Sequence, residues 1–166
     1  MESSHANQSP FNVGTRLALD DFDLSHVGDL NGRYGLPLAG ADEVARFHAL
    51  LGGQPDLTRR GLDKMSARGL DLAAFEAEAD RDEGLFGDHL RRILLGLSHD
   101  AELTNAARAV LSGQPCPASD AFHRLRSAGV LSGGSPSEAR FRCRLYQTYL
   151  ARHLTGLASH FGSHPA

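Results

Sequence analysis

Apolar residues recur at helical spacing along most of this chain, and glycines interrupt them at short intervals. Such periodicity predicts amphipathic α-helices, and glycine is the residue that most often ends a helix. The stretch Ala41–Leu51 shows both features, because Gly52-Gly53 follows it directly. Its inward positions are Val44, Phe47, His48 and Leu51. Many short helices bury their apolar faces by packing on one another, so the expected fold class is mainly α.

The same pattern divides the chain into eight predicted helices. The first begins at one of the acids in Asp20–Asp23, which can cap a helix, and it ends near Asn31. The third begins at Pro55, a residue favoured at the first helical position, and it ends at Gly69. The others are predicted at 41–51, 72–79, 86–97, 101–111, 119–128 and 145–157.

A short β-hairpin is predicted between the last two helices. Apolar pairs at 130–131 and 141–143 flank a turn-forming sequence at 133–136. On the second strand, alternation with apolar residues places three cations on one face, namely Arg140, Arg142 and Arg144. Three helices followed by a hairpin describe a winged helix.

These elements divide the chain into four predicted parts. An extended segment occupies residues 1–19, and a small helical bundle occupies 20–84. The winged-helix domain occupies 85–158, and a flexible tail occupies 159–166. A length of 166 residues allows two small domains of this kind, each with a core of its own.

Composition indicates a soluble protein. The hydrophobic fraction is 41%, and no apolar run approaches the roughly 20 residues of a membrane span. The first ten residues lack the basic and apolar regions of a signal peptide. We therefore expect a cytoplasmic protein with no membrane partner. Cys116 and Cys143 are then expected to be reduced thiols.

The net charge of −3 conceals an uneven distribution of charge. Nine acids and three arginines lie in 69–102, whereas six arginines and two acids lie in 112–154. The candidate contacts to nucleic acid or to a partner protein are Arg124, Arg126, Arg140 and Arg142. The 119–128 helix offers no Asn or Gln to read adenine, so a protein partner is favoured over DNA.

Sequence patterns that indicate catalysis, phosphate binding or metal binding are weak along this chain. Its single lysine, Lys64, follows Asp63 and precedes Met65, so it cannot belong to a phosphate-binding loop that ends in Gly-Lys-Ser/Thr. Ser98-His99-Asp100 are adjacent and cannot adopt triad geometry. The histidines are scattered and no Cys-x-x-Cys pair is present. We predict no catalytic residue, no metal site and no enzymatic activity.

Four segments nevertheless resemble bacterial AAA-like signalling ATPases of the STAND class. Ser9–Gly14 is similar to the strand and turn that leave the nucleotide-binding core, and Leu51–Leu57 to the Gly-Gly-x-Pro element that opens the lid. Asp88–Arg92 resembles the first helix of the winged helix, and Arg142–Leu150 its closing strand and helix. The resemblance runs from about Ser9 to Leu154 in the order of the family.

The resemblance implies a lid bundle at 20–84 followed by a winged helix, with the ATPase core expected before Ser9. Gly52, Gly53 and Pro55 would approach an adenine only when a nucleotide-binding core is supplied, so ATP or ADP requires a separate core. The implied role is that of a non-catalytic regulatory and protein-interaction module, either a fragment or a stand-alone remnant, with the missing core or another protein as its partner. A winged-helix DNA-binding protein is the alternative.

Overall fold

The structure is a computed structural model, and it describes residues 20–155. The predicted extended segment at 1–19, the Ser9–Gly14 motif and the predicted tail at 159–166 lie outside the described residues.

Eight α-helices lie within residues 20–155 and make the fold mainly α, as predicted. The first four are α1 Leu24–Arg33, α2 Ala41–Leu51, α3 Pro55–Arg68 and α4 Leu72–Ala79. The last four are α5 Gly87–Ser98, α6 Ala101–Leu111, α7 Ser119–Ser127 and α8 Arg144–Leu150. None of them combines the length and the apolar character that a membrane span requires.

Local chemistry accounts for several of the helix ends. Carboxylates cap three helices, since Asp23, Asp71 and Asp100 accept hydrogen bonds from backbone N–H groups in the first turns of α1, α4 and α6. Gly52 and Gly69 end α2 and α3 in the left-handed conformation that glycine adopts without strain. These signals are local in sequence, which is why the predicted bounds of α2, α3, α4 and α6 are confirmed.

The predicted hairpin is present, with each strand shifted by one residue at its start. Strand β1 is Leu131–Ser132 and strand β2 is Arg140–Phe141, paired antiparallel with Leu131 opposite Phe141. A 3₁₀ turn at Pro136–Glu138 lies between the strands.

The predicted strand face of three arginines is wrong. Strand β2 ends at Phe141, and Arg144 is the first residue of α8. The chain must become helical at this point because the buried residues that follow are spaced for a helix: Leu145, Tyr146, Tyr149 and Leu150. Of the three arginines, only Arg140 lies in a strand.

The last helix continues as a π-helical turn, Ala151–Thr155. Leu145, Tyr149 and Leu150 are buried, as their predicted inward positions require. The part of the predicted helix after 155 lies outside the described residues.

The described residues form two compact units. The N-terminal unit consists of residues 20–88 and 143–145, and the C-terminal unit consists of 89–142 and 146–155. The helix α8 therefore supplies Leu145 to the N-terminal unit and Tyr146 onward to the C-terminal unit.

Aromatic rings dominate the core of the N-terminal unit. The ring centroids of Phe47 and Phe75 lie 5.3 Å apart, and Phe86 meets Phe75 edge-on at 6.0 Å. All three side chains are fully buried. Helix α1 packs against α2 and α3. Gly61 of α3 lies directly against the rings of Phe47 and Phe75, so the missing side chain at this position allows the helices to approach closely.

The C-terminal unit has a separate core. Helix α6 packs against α7 and against the π-helical turn, and α7 packs against β1. Its buried residues include Leu103, Phe122, Leu125, Leu131 and Tyr149. His89 of α5 and the hydroxyl of Tyr146 share a hydrogen bond of 2.8 Å.

Candidate functional site

The predicted cofactor residues lie together in the turn between α2 and α3, which we call the Gly52–Pro55 turn. Gly52 has a φ of +68°, and its N–H donates to the carbonyl of His48 at 2.7 Å. Gly53 also has a positive φ, of +70°. Gln54 is extended, as a residue before proline prefers, and Pro55 begins α3. Two glycines and a proline thus reverse the chain within four residues.

The backbone of Phe22 is attached to this turn from the segment before α1. The N–H of Phe22 donates to the carbonyl of Gly53 at 2.7 Å. Its own carbonyl lies 2.8 Å from Nε2 of His48, and since a carbonyl can only accept, Nε2 is the donor. The guanidinium of Arg59 stacks over the Phe22 ring, 5.2 Å from its centroid. We call this arrangement the Phe22 latch.

The latch explains why glycine is required at position 53. A Cβ placed there would overlap the carbonyl oxygen of Phe22 and lie 2.9 Å from Nε2 of His48. The positive φ of Gly53 is a second reason, because L side chains rarely adopt it. Position 53 therefore requires glycine for two reasons, the close approach of Phe22 and the positive φ.

The beginning of α3 is closely packed. Pro55 and Leu57 are buried, and the N–H of Thr58 donates to the carbonyl of Gln54 at 2.8 Å. The hydroxyl of Thr58 is buried and has no hydrogen-bond partner among the described residues. A helix N-terminus favours anions, and here Asp56 already supplies a carboxylate, which pairs with Arg60 at 3.2 Å.

The first of the predicted contact arginines, Arg124, has a role inside the protein. Its guanidinium lies 3.0 Å from Oδ2 of Asp100, the residue that caps α6. The backbone N–H of Leu103 lowers the pKa of the Asp100 carboxyl below its usual range, and Arg124 adds to this shift. Arg124 thus stabilises the ionised form of a helix cap.

The other three predicted arginines differ in exposure. Arg126 on α7 and Arg140 on β2 are exposed. Arg142 is half-buried, and its guanidinium lies beside Gly129. Its backbone N–H donates to the carbonyl of Val130 at 2.9 Å. Arg126 and Arg140 are therefore the two whose side chains are open to a partner.

Within residues 20–155, no group of three or more His, Cys, Asp or Glu side chains is placed to hold a metal ion. Cys116 and Cys143 are both buried and are not joined by a disulfide.

Sequence reasoning missed two residues of the site. The sequence predicts His48 only as one of the inward positions of α2, and it does not single out Phe22. His48 lies one helical turn before Gly52, and this place in the last turn of α2 is the signal that could have drawn attention to it. The contact with Phe22 joins segments far apart in sequence, and nothing local predicts it.

A family model described as the AAA-like domain matches residues 2–152. The chain belongs to the AAA-like domain family. No curated protein and no solved structure matches the chain.

Family membership confirms the AAA-like relationship that the four sequence segments predicted. The STAND class, the lid and the winged helix stay predictions for this AAA-like chain.

Proposed function

We propose that this AAA-like chain is a non-catalytic regulatory and protein-interaction module. In this proposal residues 20–84 act as a lid and residues 85–158 as a winged helix. The module packs against a nucleotide-binding core in the same or another polypeptide, and a change of nucleotide shifts the position of the module to expose or cover a partner surface.

The order of elements in the C-terminal unit supports this proposal most directly. Helices α5, α6 and α7 are followed by the hairpin of β1 and β2, which is the order of a winged helix. The hairpin follows α7 closely in the chain, and α7 packs against β1. Together with the AAA-like family match, this order favours the regulatory half of such an ATPase.

The Gly52–Pro55 turn is the proposed contact with ATP or ADP, and only when a separate core is supplied. Gly52 is half-buried and leaves part of its backbone accessible to a ligand, whereas Gly53 and Pro55 are buried, and α3 begins at Pro55. Asp56 opposes a direct phosphate contact at the helix N-terminus, so a nucleotide base is the part of the ligand expected here.

Capture of the core from cell extract tests this proposal. Tagged chain is used as bait in the presence of ADP, of a non-hydrolysable ATP analogue and of no nucleotide, and bound proteins are identified by mass spectrometry. We expect recovery of a protein with a Gly-Lys-Ser/Thr loop, in an amount that depends on nucleotide. A chain that remains monomeric and recovers no such protein under any condition would contradict the proposal.

A winged-helix DNA-binding protein is the second candidate, favoured by the exposure of Arg126 and Arg140. Binding to labelled duplex DNA is measured by fluorescence anisotropy across a range of salt concentrations. Under this candidate, Arg126→Gln combined with Arg140→Gln lowers the salt slope by about two. The control is Arg33→Gln, an exposed arginine of α1. Absence of salt-dependent binding by the unmodified chain rejects the DNA candidate.

A further inference from the structure

Both backbone groups of a single residue form the Phe22 latch. Its N–H is bound by the carbonyl of Gly53, and its carbonyl is bound by the side chain of His48. His48 lies in the last turn of α2 and Gly53 lies just after that helix, so the two hydrogen bonds hold one short segment against one turn. The segment before α1 is thereby fixed to the part of the chain that the proposed function assigns to nucleotide.

The segment from Asp20 to Asp23 buries little surface of its own. Asp20, Asp21 and Asp23 are exposed, and Phe22 is only half-buried. The core rings of Phe47 and Phe75, in contrast, have no exposed surface. Opening the latch therefore breaks its two hydrogen bonds and disturbs the contacts of the Phe22 ring with the guanidinium of Arg59 and the ring of His26, without uncovering the aromatic core. Regions with few buried apolar contacts open at low free energy, independently of global unfolding.

We propose that the Phe22 latch is a conformational switch that opens locally while the N-terminal unit stays folded. In the closed state, His48 positions the backbone of Phe22 and Gly53 holds the adjacent N–H. In the open state, the segment before α1 leaves the Gly52–Pro55 turn. The regulatory use of this motion rests on the proposed function, whereas the opening is a property of the chain alone.

The donor of the latch does not depend on the charge of the histidine. Nε2 carries a proton in the imidazolium and also in the Nε2–H neutral tautomer, so both forms donate to the Phe22 carbonyl. The hydrogen bond requires a proton on Nε2, and the latch opens when the segment of Phe22 separates from the Gly52–Pro55 turn.

Two substitutions of His48 separate the hydrogen bond from other effects. The amide nitrogen of Gln reaches about as far as Nε2, whereas that of Asn reaches only as far as Nδ1, so His48→Gln keeps the donor and His48→Asn removes it. Hydrogen exchange of individual amides is measured on the full chain by nuclear magnetic resonance. We expect the Phe22 amide to exchange about tenfold faster in His48→Asn and to stay within about threefold of the unmodified chain in His48→Gln.

The amides of Phe47 and Phe75 report global unfolding in the same samples, and we expect their exchange in His48→Gln to match the unmodified chain. The proposal is overturned when the Phe22 amide exchanges no faster in His48→Asn than in His48→Gln. It is also overturned when the Phe22 amide of the unmodified chain exchanges only as slowly as the core amides, because the latch then opens only by global unfolding. The experiment contains no partner, so its outcome is independent of the search for an ATPase core.

Discussion

At the residue scale, Gly53 carries two constraints at once, as Gly133 also does. It has a positive φ, and its α-carbon faces the carbonyl oxygen of Phe22 at a distance that leaves no room for a methyl group. Gly53→Ala is therefore expected to destabilise the fold by about 2–4 kcal/mol, through backbone strain together with forced opening of the latch. Urea denaturation followed by circular dichroism measures this loss.

Gly69→Ala is the matched control for this substitution. Gly69 also ends a helix, with a φ of +65°, but a Cβ on it would meet no atom within 4 Å. Its expected cost is about 1–2 kcal/mol, from the left-handed conformation alone. Equal losses in the two variants would show that the close approach of Phe22 contributes nothing to stability.

Gly53 and Gly69 also show which properties of a single residue the sequence predicts. Both were predicted as helix ends, since the apolar periodicity stops there. The close approach of Phe22 to Gly53 could not be predicted, because it depends on where α1 packs against α2 and α3. The candidate site was therefore located from sequence, while the reason for its second glycine came only from the structure.

At the element scale, the cap of α6 predicts a pH dependence of stability. The pKa of Asp100 is lowered in the folded protein, first by the N–H of Leu103 and then by Arg124. A lowered pKa means that the ionised cap stabilises the fold above the ordinary carboxyl value of about 3.9, and that this contribution is lost as the pH falls through the folded value. We expect the urea midpoint of the unmodified chain to fall between pH 6 and pH 3 partly for this reason.

Asp100→Ser isolates this contribution, because serine also caps a helix but does not titrate in this range. The variant is expected to lose less of its urea midpoint between pH 6 and pH 3 than the unmodified chain loses. The measurement is a pair of denaturation curves for each protein, at the two pH values and constant ionic strength. Identical losses in both proteins would remove Asp100 from the causes of acid sensitivity.

Helices and strands differ in how well the sequence predicts them. The bounds of α2, α3, α4 and α6 follow from periodicity and caps within the element itself. The strands are only two residues long, and their register depends on pairing across the hairpin, where Leu131 faces Phe141. Periodicity of two residues cannot be established over such a length, so Arg144 was assigned to a strand although it begins α8.

At the scale of the whole molecule, the two compact units are interleaved in the sequence. Residues 143–145 belong to the N-terminal unit although they lie between two segments of the C-terminal unit. Sequence analysis divides the chain into consecutive segments. Such a division cannot show that the unit to which the residues belong changes within α8. The buried residues of α8 belong to both cores, since Leu145 lies in the N-terminal unit and Tyr146, Tyr149 and Leu150 lie in the C-terminal unit.

Two leucines test whether these units also behave as separate cooperative units. Leu145 lies in the N-terminal unit and Leu125 in the C-terminal unit, and both are fully buried in helices. Truncation of either to alanine is expected to cost about 2–5 kcal/mol. Hydrogen exchange measured by mass spectrometry should then rise mainly in α2–α4 for Leu145→Ala and mainly in α6 and α7 for Leu125→Ala, because each substitution lowers the stability of its own core. A uniform rise across residues 20–155 in both variants would instead mean that the molecule unfolds as one unit, with the two cores inseparable in stability.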